Sequence, residues 1–125
     1  MPNRSILAGV GGYLPERVVT NDELARTVDT SDEWIRERTG IRRRHFSGPH
    51  ETAAFMGAAA ARQALAHART DVNEVDAVIL ATSTPDQAFP STAIRVMAAL
   101  GMQRGFGFGD HAASDDAFGY QSARL

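Results

Sequence analysis

Apolar positions in this chain fall into short runs separated by turn residues, and each run predicts an element. Residues 5–10 are mostly apolar and end in Gly11-Gly12, which predicts a strand feeding a turn. Pro15 bars a central strand from continuing through it. Thr20-Asn21-Asp22-Glu23 predicts a helix start, with Asn21 as the cap and two acids at the positive end of the helix dipole. Leu24 and Val28 share one face of that short helix. A second start follows at once, with Thr30 or Ser31 as cap and Asp32 and Glu33 in the first turn. Trp34, Ile35 and Arg38 ride this helix, and Gly40 ends it in a left-handed conformation. Residues 41–46 read as an exposed extended segment, broken by Gly48-Pro49.

The longest periodic segment is residues 51–69. It is alanine-rich and free of proline, with Gly57 its one weak point. Phe55, Ala58, Ala61, Leu65 and Ala68 fall on one stripe at three- and four-residue spacing. Residues 71–76 make a polar turn. Ala77-Val78-Ile79-Leu80-Ala81-Thr82 is apolar without alternation, which predicts a strand buried on both faces of a parallel sheet. Residues 83–90 form a loop, Ser91 caps a helix over 92–100, and Gly101 closes it. The succession of strand, helix, strand and helix gives an α/β fold.

Composition narrows the classes. The chain has 125 residues, enough for one ordinary domain. Hydrophobic residues at 43% and charged residues at 22% are globular values, which excludes a disordered chain. A net charge of −2 gives no footprint for nucleic acid. No apolar run approaches the roughly 20 residues of a membrane helix, and the N-terminus is no secretory signal, so a cytoplasmic location is expected. There is no cysteine, which excludes disulfides, thiolate catalysis and Cys-ligated zinc from these residues.

Several ordered blocks then carry a resemblance. They are Gly11-Gly12-Tyr13-Leu14-Pro15, Thr20-Asn21, Asp29-Thr30-Ser31-Asp32-Glu33-Trp34-Ile35, Arg38-Thr39-Gly40-Ile41, Glu51-Thr52 with Met56-Gly57, Ala81-Thr82-Ser83-Thr84-Pro85-Asp86, and Phe89-Pro90-Ser91. Over residues 5–101 the chain resembles the β-ketoacyl-acyl-carrier-protein synthase III family. The resemblance implies the N-terminal half of a thiolase-like fold, a mixed sheet with packed helices, left incomplete by the chain's length. It divides the chain into a half-domain at 1–103 and a divergent tail at 104–125.

The implied chemistry is decarboxylative condensation of an acyl-coenzyme A with malonyl-acyl-carrier protein, which starts fatty acid or polyketide chains. The implied partners are acyl-CoA as a thioester substrate, the carrier protein and a second copy in a homodimer, with no permanently bound cofactor, no metal and no membrane. By position Trp34 and Arg38 clasp coenzyme A, with Thr30 nearby. The physics agrees, because an indole and a guanidinium one helical turn apart share a face and both planes can stack on a purine. Without the resemblance, Trp34 reads as a core anchor and Arg38 as a solvated charge. Phe89 by resemblance reaches across the dimer into the partner's acyl pocket, and otherwise reads as an ordinary buried phenylalanine.

The resemblance breaks at the nucleophile. Where the family carries its cysteine, this chain has Asp115, or Ser114 with one residue of slip. A carboxylate there is a weak nucleophile, and Ser114 lacks a base in a matching motif. The expectation is a truncated member without catalytic cysteine, inactive alone; the alternative is a non-catalytic CoA-binding or dimerising module. Acyl transfer through Asp115 or Ser114 is the least supported reading. Arg42-Arg43-Arg44 could attract phosphates or an acidic carrier protein, but a solvated charged face is the commoner reading of such a run and is preferred. Gly9-Val10-Gly11 lacks the third glycine of a dinucleotide fingerprint. His111 with Asp110, Asp115 and Asp116 resembles a hard-metal cluster but reads as solvated.

Overall fold

The computed structural model describes residues 4–111. Its elements are β1 (Arg17–Thr20), α1 (Asn21–Leu24), α2 (Asp32–Thr39), β2 (Arg43–Phe46), α3 (Ala53–Ala68), β3 (Ala77–Thr82), α4 (Thr92–Leu100) and β4 (Phe106–His111), with a 3-10 turn at Val72–Glu74. The fold is α/β, as the pattern predicts. Among the described residues the strands form two ladders, one antiparallel and one parallel. β1 pairs antiparallel with β2, and β3 pairs parallel with β4.

Local chemistry accounts for the helices. The Thr20 side chain caps α1 by accepting from the Glu23 N–H, so Asn21 is not the cap but the first helical residue. Ser31 caps α2 by accepting from the Trp34 N–H, and Gly40 ends it at φ 71°. Thr52 caps α3 through the Phe55 N–H. Ser91 precedes α4 but its side chain makes no capping bond. Asp71 and Glu74 form a reciprocal capping box around the 3-10 turn.

α3 and α4 pack together over one face of the β3–β4 ladder. The buried centre is Ala54, Ala58 and Val96, with Val78, Leu80 and Leu100 against it. Ala58 of the expected stripe is buried, but Ala54 takes the inward place expected of Phe55, which lies outside the core, edge-on to Tyr13 with ring centroids 5.5 Å apart. The small residues let neighbours come close. A side-chain carbon on Gly9 would stand 2.4 Å from the Ala64 carbonyl oxygen, and one on Gly11 would stand 2.2 Å from that of Ala60. Residues 5–10 join no ladder among the described residues. Residues 9–12 lie along α3 instead, where the Val10 N–H donates to His67 Nδ1 at 3.1 Å and the Gly12 N–H to Gln63 Oε1 at 3.3 Å.

β3 was expected to be buried on both faces. Only the Val78–Leu80 face is covered, and Ile79 on the other is 70% exposed. Residues 106–111, which the sequence assigns to a divergent tail, continue the fold as β4. The alternation of phenylalanine and glycine there has a physical reason. A side chain on Gly107 would meet Met97 Sδ at 2.6 Å, so glycine faces α4, while Phe106 and Phe108 stack 6.4 Å apart on the open side.

Asp86 ties the 83–90 loop to both helices. Its carboxylate accepts from the Ala53 and Ala54 N–H groups at 2.6 and 2.9 Å and from Arg95 Nη1 at 3.0 Å. α3 has no acid in its own first turn, so this distant carboxylate supplies the negative charge its positive end favours. Asp86→Ala is expected to lower unfolding stability by about 2 kcal/mol, as two helix N–H groups and Arg95 lose a largely buried partner. Urea unfolding of the two proteins measures it, and an unchanged midpoint refutes it.

Candidate functional site

The candidate site is built on α2 and the strands beneath it. Ile35 faces inward and is buried, which fixes the roll of the helix. Trp34 and Arg38 then fall on the outer face, one turn apart. Trp34 is 52% exposed, so it is not a core anchor. The Arg38 guanidinium lies over its ring at 4.7 Å from the centroid. A cation and an aromatic face are thus held together at the surface.

Thr30 does not join them at the surface. Its Oγ1 is buried and has no hydrogen-bond partner among the described residues. Phe89 is far from buried, at 88% exposure, which removes the reading of an ordinary core phenylalanine. Its loop is tied locally, with Gln87 Nε2 donating to the Phe89 carbonyl at 2.8 Å. Ser114 and Asp115 lie outside the described residues, as does Asp116, and the side chains of Asp110 and His111 are likewise not described. Among the described residues no three His, Asp or Glu side chains gather as metal ligands.

An open hollow of about 550 Å³ adjoins the same helix, lined by Asp32, Glu33, Arg36, Glu37, Gly40 and Arg42. Neither Trp34 nor Arg38 lines it. Its mixed charges partly neutralise each other, since Arg36 pairs with Asp32 at 3.2 Å.

Beneath α2 is a polar network that the sequence did not reveal. Asn21 is 1% exposed. Its Nδ2 donates to Asp32 Oδ1 at 2.7 Å and to the Ile41 carbonyl at 2.8 Å, and its Oδ1 accepts from Arg44 Nη2. Arg44, read as part of a solvated run, is half-buried in this network, whereas Arg42 and Arg43 are exposed. The Asn21 hydrogen bond holds the Asp32 carboxyl below its ordinary 3.8, with Arg36 and the nearby Arg42 charge adding to it. A second network anchors the N-terminal loop. Glu51 accepts from the Tyr13 hydroxyl at 2.6 Å, the Gly48 N–H at 2.7 Å and the Glu16 N–H at 3.1 Å. The bond from Tyr13 lowers the Glu51 carboxyl and pushes the Tyr13 phenol up to about 12.

The chain is similar in sequence and in fold to β-ketoacyl-[acyl-carrier-protein] synthases III. The chain is 62% identical over 117 residues to the β-ketoacyl-[acyl-carrier-protein] synthase III of Acidiphilium cryptum, covering 94% of this chain and 36% of that protein. It matches the crystal structure of 3-oxoacyl-[acyl-carrier-protein] synthase III from Aquifex aeolicus with a TM-score of 0.78 at 46% identity, over 82% of this chain and 33% of that one. It matches the priming β-ketosynthase of the R1128 polyketide pathway with a TM-score of 0.76 at 40% identity, over 83% of this chain and 32% of that one. The chain thus spans about a third of the length of its relatives. The first match reaches past residue 101, further than the motifs alone. No protein-family model matches the chain.

The lowered Asp32 carboxyl has a pH signature. A depressed folded value stabilises the protein above the unfolded value, and that contribution fades as pH falls through the folded one. Asp32→Asn is therefore expected to be less stable than the parent at pH 6–7, with the gap closing as pH falls from about 5 toward 3. Urea midpoints across that range measure it; a gap that stays constant overturns the assignment.

Proposed function

Since the chain belongs to the β-ketoacyl-[acyl-carrier-protein] synthase III family, about a third of whose length it spans, we propose that its α2 surface binds coenzyme A thioesters. The observation that carries this reading is the Arg38 guanidinium lying over the half-exposed Trp34 ring. On binding, the purine slides between the two planes and exchanges a cation–π contact for two stacking contacts. Arg42 and Arg43, exposed on the segment that follows, add positive potential for the phosphates. Thr30, whose hydroxyl is buried, stands near this surface and makes no direct contact in it.

The reaction this surface serves is the decarboxylative condensation of an acyl-CoA with malonyl-acyl-carrier protein, in the cytoplasm, by a homodimer. In that dimer the exposed Phe89 loop reaches the partner's acyl pocket. The 125 residues contain no cysteine, so no sulfur of this chain can accept the acyl group. Their share of the work is to hold the thioester's nucleotide, and taken alone they do not condense. That same absence of sulfur favours one second reading, a non-catalytic CoA-binding or dimerising module.

Trp34 is the sole tryptophan, so coenzyme A stacking on it should quench its emission in a saturable titration. Trp34→Ala, followed by calorimetry, and Arg38→Ala are each expected to weaken binding by about tenfold or more, the worth of one desolvated stacking or cation–π contact. Equal affinity in all three proteins refutes the surface as the binding element. Incubation with acetyl-CoA and malonyl-carrier protein is expected to give no ketoacyl product; measurable condensation refutes the non-catalytic assignment.

A further inference from the structure

We infer that Asn21 is the positioning residue of the Trp34–Arg38 surface, its one buried amide holding α2 in place from both ends. The inference rests on the reading of that surface as the nucleotide-binding element. An asparagine before two acids at a helix start is expected to cap that helix, but Thr20 already does so. The Asn21 side chain is left to work elsewhere. Its two amide hydrogens reach Asp32, the first residue of α2, and the carbonyl of Ile41, just past the Gly40 terminus. Its oxygen takes a hydrogen bond from Arg44 of β2, whose Nη1 also approaches the Val19 carbonyl of β1. Both donors and the acceptor of one amide are thus engaged, linking the helix to the ladder below it.

Trp34 and Arg38 lie between the two gripped ends. Neither makes a side-chain hydrogen bond or ion pair with the rest of the protein among the described residues; their direction in space is inherited from the helix alone. Of the helix's outward contacts, Ile35 sets its roll by packing, and Asn21 sets its position along and across the ladder. Asn21 touches no ligand in this arrangement and acts only through α2.

The test uses the full 125-residue chain, coenzyme A as probe and Trp34 as the reporter. Asn21→Asp sets a carboxylate against Asp32, whereas the swap Asn21→Asp with Asp32→Asn restores an amide–carboxylate pair in reverse. Asn21→Asp is expected to raise acrylamide quenching of Trp34 and to weaken coenzyme A by about tenfold, the weight of a charge-assisted hydrogen bond lost. The swap restores the bond with residue 32 and keeps that from Arg44, but not the donor to the Ile41 carbonyl, so it should recover part of both effects. The inference is overturned if folded Asn21→Asp shows parental quenching and affinity, or if the swap restores neither. If Asn21→Asp does not fold, the swap decides alone: it must fold and bind within about threefold of the parent. If the parent itself binds no coenzyme A, the surface reading fails, while the quenching comparison between Asn21→Asp and the swap still decides the positioning role.

Discussion

The near absence of side chain on α3 sets the distances in the rest of the structure. Ala54 and Ala58 form its buried side, and Gly57 lies close enough to Val96 that a side-chain carbon there would sit 3.1 Å from its Cγ2. On its flank the backbone of residues 9–11 comes to within side-chain-excluding distance of the Ala60 and Ala64 carbonyls. Close packing of this kind rewards exact shape over bulk. At its start Thr52 caps one N–H, and a carboxylate from a loop more than thirty residues away takes two more. The loop carrying Asp86 also carries Phe89, so the core and the exposed aromatic are mechanically connected through one side chain.

The helices were legible because their signals are local. The left-handed glycines at 40 and 101, the serine cap at 31 and the alanine run of α3 all act within a turn or two of themselves. β1 was not legible, because Arg17-Val18-Val19-Thr20 is short and becomes a strand only through pairing with residues far along the chain. Residues 5–10 misled in the other direction: mostly apolar, they have the look of a strand, but ladder formation depends on a neighbour that local sequence does not specify. The unbroken apolar run of β3 announced two buried faces, and only one is covered by α3 and α4. The alternating glycines and phenylalanines of β4 fit a strand whose one face is pressed against Met97 and Ile94.

The site divides along the same line. Trp34 and Arg38 could be paired from helical spacing, and their contact follows from it. The support beneath them could not, since Asn21, Asp32, Ile41 and Arg44 meet only when a helix and a ladder stack. A buried amide reads in sequence like any cap, and a half-buried arginine like its two exposed neighbours. The polar residues that hold a surface in place leave weaker traces in sequence than the aromatic that displays it.

Residues 17–46 contain β1, α1, α2 and β2 without interruption, and the separation between Asn21 and Arg44 is only 23. Loops of that size close at little entropic cost, so this segment has the contact order of a fast, locally organised unit. The β3–β4 pair and the two helices over it form a second contiguous unit later in the chain. The α2 surface can therefore assemble, open and reclose as its own cooperative unit while the α3–α4 core stays intact, and amide exchange across the chain would be expected to show two protection levels rather than one.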